Sequence, residues 1–153
     1  MIRVRKIELE DLDSLLELRN LEFDRPHYKD SSEISLSDHK EWVTSRVDSE
    51  QSITLVAEAN LTVIGVCYLN HTVGKEAELS IRVFPEWRGT ECANLIFTAV
   101  AGEAQKQGIE RLIAVVHIDN KRSRNFFINL GFIKLNMRNE FFQEFALDLR
   151  DFS

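Results

Sequence analysis

The residues most suited to chemistry lie in one stretch, 83–93, which reads V-F-P-E-W-R-G-T-E-C-A. A strand pattern ends at Val83, Pro85 and Gly89 indicate a tight turn, and an amphipathic helix pattern follows. The first turn of a helix has backbone N–H groups without partners and lies at the positive end of the helix dipole. Such a helix start binds phosphate groups. The stretch therefore predicts an anion-binding site, to which Arg88 adds positive charge.

Two helices and a polar loop are predicted before this stretch. Residues 9–18 repeat leucine at helical spacing, with acidic residues in the first turn. Residues 20–35 are polar and irregular, and a loop of this length is often a lid or a substrate-binding segment. Ser35 and Asp38 resemble a capping pair, which predicts a second helix over 36–48.

The other segments alternate like strands, are continuously apolar, or repeat at helical spacing. Strands are predicted over 2–7, 52–58, 62–69, 77–84, 111–118, 132–137 and 140–149, with a break at 71–75, and helices over 90–107 and 120–131. The resulting order is βααβββαβαββ. It predicts a single α/β (α+β) domain over residues 1–153, with a mixed central sheet of about seven strands flanked by four helices.

The composition limits the class of protein. The chain has 153 residues, 44% of them hydrophobic and 29% charged, and a net charge of −6. This balance gives no reason to expect nucleic-acid binding, and no apolar run is long enough for a membrane span. The first residues lack the pattern of a signal peptide. Cys67 and Cys92 form no spaced pair, so we expect no disulfide or metal site, and a cytoplasmic protein.

Two motifs in the second half resemble those of the GNAT superfamily of N-acetyltransferases. V-x-P-x-x-R-G is present over 83–89. It continues into R-G-T-E-C-A over 88–93, which resembles the family's pyrophosphate loop, Q/R-x-x-G-x-G/A. Glu91 stands where the loop has its middle glycine. An apolar strand ending in Asp119-Asn120 is the second likeness, because the family places an asparagine near the pantetheine arm.

A third motif, L-G-F over 130–132, ends the last predicted helix. Family members often have a tyrosine four residues before this glycine, as the acid that protonates the departing thiolate. Phe127 stands at that position here and has no proton to donate. The resemblance to GNAT enzymes covers essentially the whole chain.

The first half resembles one branch of the family, the amino-sugar-nucleotide N-acetyltransferases of the pseudaminic acid pathway type. The similar segments are 18–20, 33–42, 64–69 and 77–81. Ribosomal-protein and antibiotic acetyltransferases share parts of these segments. The acceptor implied by the resemblance is therefore a primary amine of a small molecule, with a nucleotide-linked amino sugar as one form. Acetylation of a protein N-terminus or a ribosomal protein is an alternative.

The resemblance implies acetyl-CoA as co-substrate. Pantetheine would lie along the strand before Val83, and the phosphates would lie at the two helix starts. The implied cofactor-binding residues are Leu79, Ile81, Val83, Arg88, Gly89, Thr90, Glu91, Cys92, Ala93, Asn120, Arg122, Ser123 and Phe127. Arg122 is equally explained as part of a solvated helix face, and Cys92 as a packed small residue.

Glu91 is the residue that argues against coenzyme A. At about 5 Å and an effective dielectric constant near 20, one charge pair with a phosphate costs roughly 3 kcal/mol. This penalty disappears where the side chain points to solvent, because backbone amides form the pocket. We therefore also consider a GNAT-fold module that binds a ligand or partner without acetyl transfer.

Acetyl transfer to an amine requires a base, directly or through water. Glu78 is the candidate base, and a surface charge or an ion pair explains it equally well. His71 and His117 are weaker candidates for the base. Tyr68 is a candidate for the acid that Phe127 cannot supply, although an aromatic residue at a strand end is usually in the core.

The long polar loop supplies the candidate acceptor-binding residues Arg19, Asn20, His27 and Tyr28, which an exposed polar loop explains as well. The final strand contains Phe141, Phe142 and Phe145. These side chains predict either a homodimer interface or ordinary core packing.

Overall fold

Seven strands form one mixed sheet in the order β1-β2-β3-β4-β5-β7-β6. The computed structural model describes residues 1–21, 25–28 and 30–152. The strands are β1 Ile2–Lys6, β2 Thr54–Ala59, β3 Thr62–Val73, β4 Glu76–Val83, β5 Arg111–His117, β6 Ile133–Met137 and β7 Phe142–Asp148. β4 and β5 are parallel neighbours, and the other neighbouring strands are antiparallel.

Four helices cover the two faces of the sheet: α1 Leu12–Arg19, α2 Leu36–Asp48, α3 Cys92–Lys106 and α4 Lys121–Asn129. α1 and α2 pack on one face in a core around Leu18 and Val43. α3 and α4 pack on the other face in a larger core around Phe97 and Phe127. Local capping begins two of the helices: Ser35 Oγ accepts from the Asp38 N–H at 3.2 Å, and Asn120 Oδ1 from the Ser123 N–H at 3.2 Å.

The predicted order of elements and the mixed sheet with four helices are confirmed. One boundary prediction was wrong: β3 does not break at residue 71 but runs to Val73, and Gly74 with Lys75 forms the turn. An irregularity in the β3–β4 register between Asn70 and Val73 lets the strand continue past its regular pairing.

β4 and β5 part at their C-terminal ends. Their parallel ladder joins residues 76–79 to residues 111–114 and ends at the pair Leu79 and Ala114. β4 continues to Val83 beside β3, and β5 continues to His117 beside β7. In the described part of the chain, the backbone groups that face the resulting gap have no strand partner.

The phenylalanines of the final strand region are divided between core and surface. Phe142 and Phe145 are buried, and Phe141 is 52% exposed. Core packing therefore accounts for two of the three side chains, and the homodimer stays a prediction. No helix in the described part of the chain is long and apolar enough to cross a membrane.

Candidate active site

Two adjoining cavities lie where β4 and β5 part. The larger has a volume of about 500 Å³ and the smaller about 110 Å³. The larger extends between the starts of α3 and α4, and the smaller reaches into the gap, with β4 residues on one side and Val115, Val116 and His117 on the other. The residues that line both cavities are His27, Tyr28, Ile81, Arg82, Asn120 and Ser123.

The backbone of β4 presents polar groups to the gap. Strand N–H and C=O groups alternate in direction, and the Phe84 N–H donates toward β3, to Ile64 O, at 2.9 Å. The groups of Ile81 and Val83 therefore point the other way, toward β5. Val83 O accepts from Arg88 Nε at 3.2 Å. Within the described ranges, the Val83 N–H and both groups of Ile81 have no strand partner there.

The start of α3 forms the far wall of the larger cavity. Gly89 has φ +77, a conformation that other residues rarely adopt, and it lets the chain turn into the helix. The Thr90 hydroxyl donates to Trp87 O and accepts from the Cys92 N–H. Ala93 lines the cavity in the first helical turn, where its N–H has no acceptor within the helix.

Glu91 and Cys92 lie away from the cavities. Glu91 precedes the first residue of α3, its side chain makes no capping hydrogen bond, and it is exposed. Cys92 is fully buried against Gly65, and burial raises the pKa of its thiol to about 11. The structure therefore turns the Glu91 carboxylate to solvent and keeps the Cys92 thiol protonated.

The start of α4 forms the opposite wall. Asn120 and Ser123 line both cavities, and Arg122 lines the larger one. Phe127 lies one turn after Ser123 and lines the smaller cavity. Its buried ring packs edge-on against Phe132, with centroids 5.0 Å apart, so this position supplies an apolar wall.

Glu78 and Tyr68 lie in the sheet and line neither cavity. Glu78 is 9% exposed, and Arg138 Nη1 lies 3.3 Å from its Oε1. Arg138 also pairs with Glu144 at 2.9 Å. Tyr68 is buried with its ring edge-on to Trp42 at 4.9 Å. Glu78 is thus part of an ion pair and Tyr68 is part of the core, and the catalytic roles of both residues stay predictions.

His117, by contrast, lines the smaller cavity. Its Nδ1 accepts from the Asp119 N–H at 3.1 Å, which leaves Nε2 to carry the proton of the neutral ring. The ring centroid of His27 lies 5.5 Å away. The side chain of His71 lies outside the described residues.

The predicted acceptor-binding residues divide into two kinds. His27 and Tyr28 line both cavities. Asn20 instead holds the loop: its Nδ2 donates to Ile34 O at 3.1 Å and its Oδ1 accepts from the Ile34 N–H at 2.9 Å. Arg19 donates to Asp30 O at 2.9 Å, and its guanidinium lies 4.8 Å from the Tyr28 ring centroid.

Arg82 is a residue of this site that the sequence analysis did not select. It lines both cavities, and its Cζ lies 4.4 Å from the Tyr28 centroid and 5.8 Å from the Tyr68 centroid. Strand alternation places Arg82 on the same face of β4 as Glu78, and this could be read from the sequence. Its contact with Tyr28 depends on how the loop folds and could not be read from the sequence.

No group of three or more histidine, cysteine or acidic side chains in the described part of the chain could hold a metal ion. The arrangement instead combines unpaired strand amides, a helix start and arginines around one connected space. Such a space can hold an extended ligand with an anionic end.

Comparison with known proteins gives one family. The model of the acetyltransferase (GNAT) domain matches residues 2–133. No curated protein matches the chain significantly.

Solved structures share the fold at low sequence identity. A ribosomal-protein-alanine N-acetyltransferase from Brucella melitensis is 18% identical, with 95% of this chain and 99% of that chain covered and a TM-score of 0.83. A GNAT superfamily phosphinothricin acetyltransferase from Sinorhizobium meliloti, in complex with acetyl-CoA, is 18% identical, with 96% and 88% covered and a TM-score of 0.82. The PaiA N-acetyltransferase from Thermoplasma acidophilum, in complex with coenzyme A, is 20% identical, with 97% and 99% covered and a TM-score of 0.74.

Proposed function

Because the chain belongs to the GNAT acetyltransferase family, we propose that it transfers the acetyl group of acetyl-CoA to a primary amine of a small acceptor. The observation that carries this proposal is the gap between β4 and β5. It opens unpaired backbone groups into a cavity that continues to the start of α3. Relatives of the same fold are described in complex with acetyl-CoA or coenzyme A.

The described residues fit the pantetheine and pyrophosphate parts of coenzyme A. Pantetheine is an extended amide chain, and it would pair with Ile81 and Val83 as an added strand. The pyrophosphate would lie at the amides of α3, beside Arg88. Arg122 lines the same cavity from the start of α4 and adds a second positive charge. The Glu91 carboxylate is exposed, so the repulsion that its charge implies is largely screened by water.

The reaction joins the amine nitrogen to the acetyl carbon and breaks the carbon–sulfur bond. Acetyl-CoA supplies an activated acetyl group, whose sulfur leaves as a thiolate. The protein must hold the amine in its neutral form and receive the proton that the nitrogen loses. A thiolate leaves with little protonation, so the absence of a hydroxyl at Phe127 is compatible with the reaction.

We propose Glu78 as the base, acting through water. Glu78 lies on the same face of β4 as Arg82, which supports this assignment. Because Glu78 lines neither cavity, a water molecule would have to carry the proton from the amine to its carboxylate. Glu78→Gln is expected to lower kcat about a hundredfold, because general-base catalysis contributes about 10²- to 10⁴-fold. The acetyl-CoA dissociation constant should stay the same, because glutamine keeps the hydrogen bond from Arg138. An assay of thiol release measures kcat, and calorimetry measures the dissociation constant.

His117→Gln is the comparison for this variant, because His117 lines the smaller cavity and Glu78 does not. A kcat that is unchanged in Glu78→Gln but falls in His117→Gln would move the role of base to His117. Equal kcat in both variants and the wild type would leave neither residue as the base.

The acceptor is the less constrained part of the proposal. We propose a nucleotide-linked amino sugar as one acceptor, on the strength of the segment likeness over 18–20 and 33–42. Relatives of the same fold are described as acting on ribosomal-protein alanine and on phosphinothricin, so the fold accommodates several amines. We propose a cytoplasmic location, and the two cysteines, which are both free and buried, are compatible with a reducing compartment.

The test is calorimetry with acetyl-CoA followed by an acceptor screen with thiol detection. We expect micromolar binding of acetyl-CoA and thiol release with at least one class of amine. The screen should include amino-sugar nucleotides, amino acids and short peptides with a free N-terminal alanine. Binding without release from any amine would favour the ligand-binding module, and no heat at millimolar acetyl-CoA would overturn the proposal.

A further inference from the structure

Resting on the proposed function, we propose that the acceptor amine carries an anionic oxyacid group, a carboxylate or a phosphate, which Arg82 binds. Arg19 contacts the same Tyr28 ring and strengthens the positive field there. The class of acceptor is then anionic amines and not small amines in general.

The guanidinium of Arg82 has no polar partner among the described side chains. It makes no hydrogen bond and no ion pair with residues 1–21, 26–28, 30–70 and 73–152; its contacts are with the rings of Tyr28 and Tyr68. A contact between a cation and a ring face uses no N–H donor in a hydrogen bond to an oxygen, so the five donors of the guanidinium are left for a ligand. Arg82 is half-buried and lines both cavities, so these donors are available to a molecule bound there.

Two more arginines lie close by, and neither has a carboxylate partner among the described side chains. The guanidinium of Arg19 lies over the same Tyr28 ring, and that of Arg46 lies 5.1 Å from the Tyr68 centroid. Arg19 donates to backbone oxygens, and Arg46 to Leu69 O at 2.7 Å and to the side chain of Asn70. None of the three has an ion pair in the part of the chain that the structure describes.

This local charge is unusual for the chain. The protein has 25 acidic and 19 basic residues, so carboxylates are plentiful. Burial, and then repulsion by Arg82, lowers the pKa of Arg19. Asp30 is the nearby acid that acts on Arg19, but it is exposed and its carboxylate accepts from the Ser32 N–H at 3.0 Å. An anion from outside the protein would relieve the repulsion between the two arginines.

The position of Arg82 assigns the anion to the acceptor and not to coenzyme A. The side chains of Leu79 and Val83 belong to the core on the α3 side of β4, so alternation places Arg82 on the α1–α2 side. The phosphates of coenzyme A would lie at the starts of α3 and α4, with Arg88 and Arg122. Arg82 therefore faces the loop that the acceptor would contact, at the part of β4 where the acetyl group would arrive.

A guanidinium binds carboxylate and phosphate oxygens with the same pair of donors. The test therefore uses two matched pairs of amines. β-Alanine with β-alaninamide tests a carboxylate, and O-phosphoethanolamine with ethanolamine tests a phosphate. The quantity compared is the ratio of kcat/KM for the anionic member to that for its neutral member. Comparing this ratio between variants cancels differences in amine basicity.

We expect the wild type to prefer the anionic member of at least one pair, and Arg82→Leu to lower that ratio about 10- to 100-fold. Arg82→Lys should restore part of it, because a point charge remains. Arg111→Leu is the matched control: it removes an arginine at the opposite end of β4 and β5, where Arg111 pairs with Glu76 at 2.9 Å. Its ratio should equal that of the wild type.

A wild-type ratio near one for both pairs, or the same ratio in the wild type and Arg82→Leu, would overturn the inference. A raised acetyl-CoA dissociation constant in Arg82→Leu together with an unchanged ratio would assign Arg82 to coenzyme A instead.

Failure of the proposed function has a different signature: acetyl-CoA gives no heat, or no amine of the acceptor screen, these four included, releases thiol. Calorimetry with β-alanine and O-phosphoethanolamine then decides the inference. Binding by the wild type that is lost in Arg82→Leu supports the anion site, and no binding by the wild type overturns it.

Discussion

Ala93→Glu is expected to weaken acetyl-CoA binding about a hundredfold. Ala93 lines the larger cavity in the first turn of α3, where the pyrophosphate is proposed to bind. A carboxylate about 5 Å from a phosphate costs roughly 3 kcal/mol at an effective dielectric constant near 20, which corresponds to about a hundredfold in affinity. Calorimetry with acetyl-CoA measures the dissociation constant. The fold should remain, because an acidic residue in the first turn stabilises a helix.

Glu91→Gln is the matched control, since it removes a carboxylate two residues earlier in the chain. We expect a change in the dissociation constant of less than about threefold, because Glu91 is exposed and outside the cavity. Wild-type affinity in Ala93→Glu would show that the phosphates bind elsewhere. A large gain in affinity in Glu91→Gln would show that its charge reaches the ligand.

Phe97→Ala is expected to lower the free energy of unfolding by about 3–5 kcal/mol, the usual loss for a buried phenylalanine. Phe97 is 0% exposed in the core under α3. Its ring packs edge-on against Phe132 at 5.9 Å and Phe152 at 5.6 Å. The cavity left by the alanine would lie between α3 and the rings of Phe132 and Phe152. Urea denaturation followed by circular dichroism measures the loss.

Phe141→Ala, a phenylalanine-to-alanine change at the surface, is the control for the loss of stability in Phe97→Ala. Phe141 is 52% exposed, and its ring contact is with His117. The loss there should be below about 1 kcal/mol. Similar losses in the two variants would contradict the packing described for α3.

Elements with a local signal were predictable from the sequence. The bounds of α2 followed from the capping pair of Ser35 and Asp38, because a cap is a contact between neighbours in the chain. The end of β3 did not follow. Gly74 correctly marked a turn, but the length of the strand before it depends on pairing with β4, which is not local.

The site divides in the same way. Motif spacing located the turn at Gly89 and the start of α4 at Asn120, and both line the larger cavity. The direction of the Glu91 side chain was not predictable, because a motif gives the order of residues and not their rotation about the helix axis. Arg82 was not predicted as a site residue, because its position in the site is defined by a contact with Tyr28, more than fifty positions earlier in the chain.

Because β4 and β5 part, binding of acetyl-CoA in the gap should raise the free energy of unfolding of the protein. The two halves of the sheet meet through a short parallel ladder, and a pantetheine chain in the gap would add the hydrogen bonds that the ladder omits. A ligand that binds only the folded chain, at a hundred times its dissociation constant, raises the free energy of unfolding by about 2.7 kcal/mol. On the proposed function, the supply of acetyl-CoA would then set the lifetime of the enzyme against proteolysis as well as its rate. A cell short of acetyl-CoA would lose the catalyst together with the reaction.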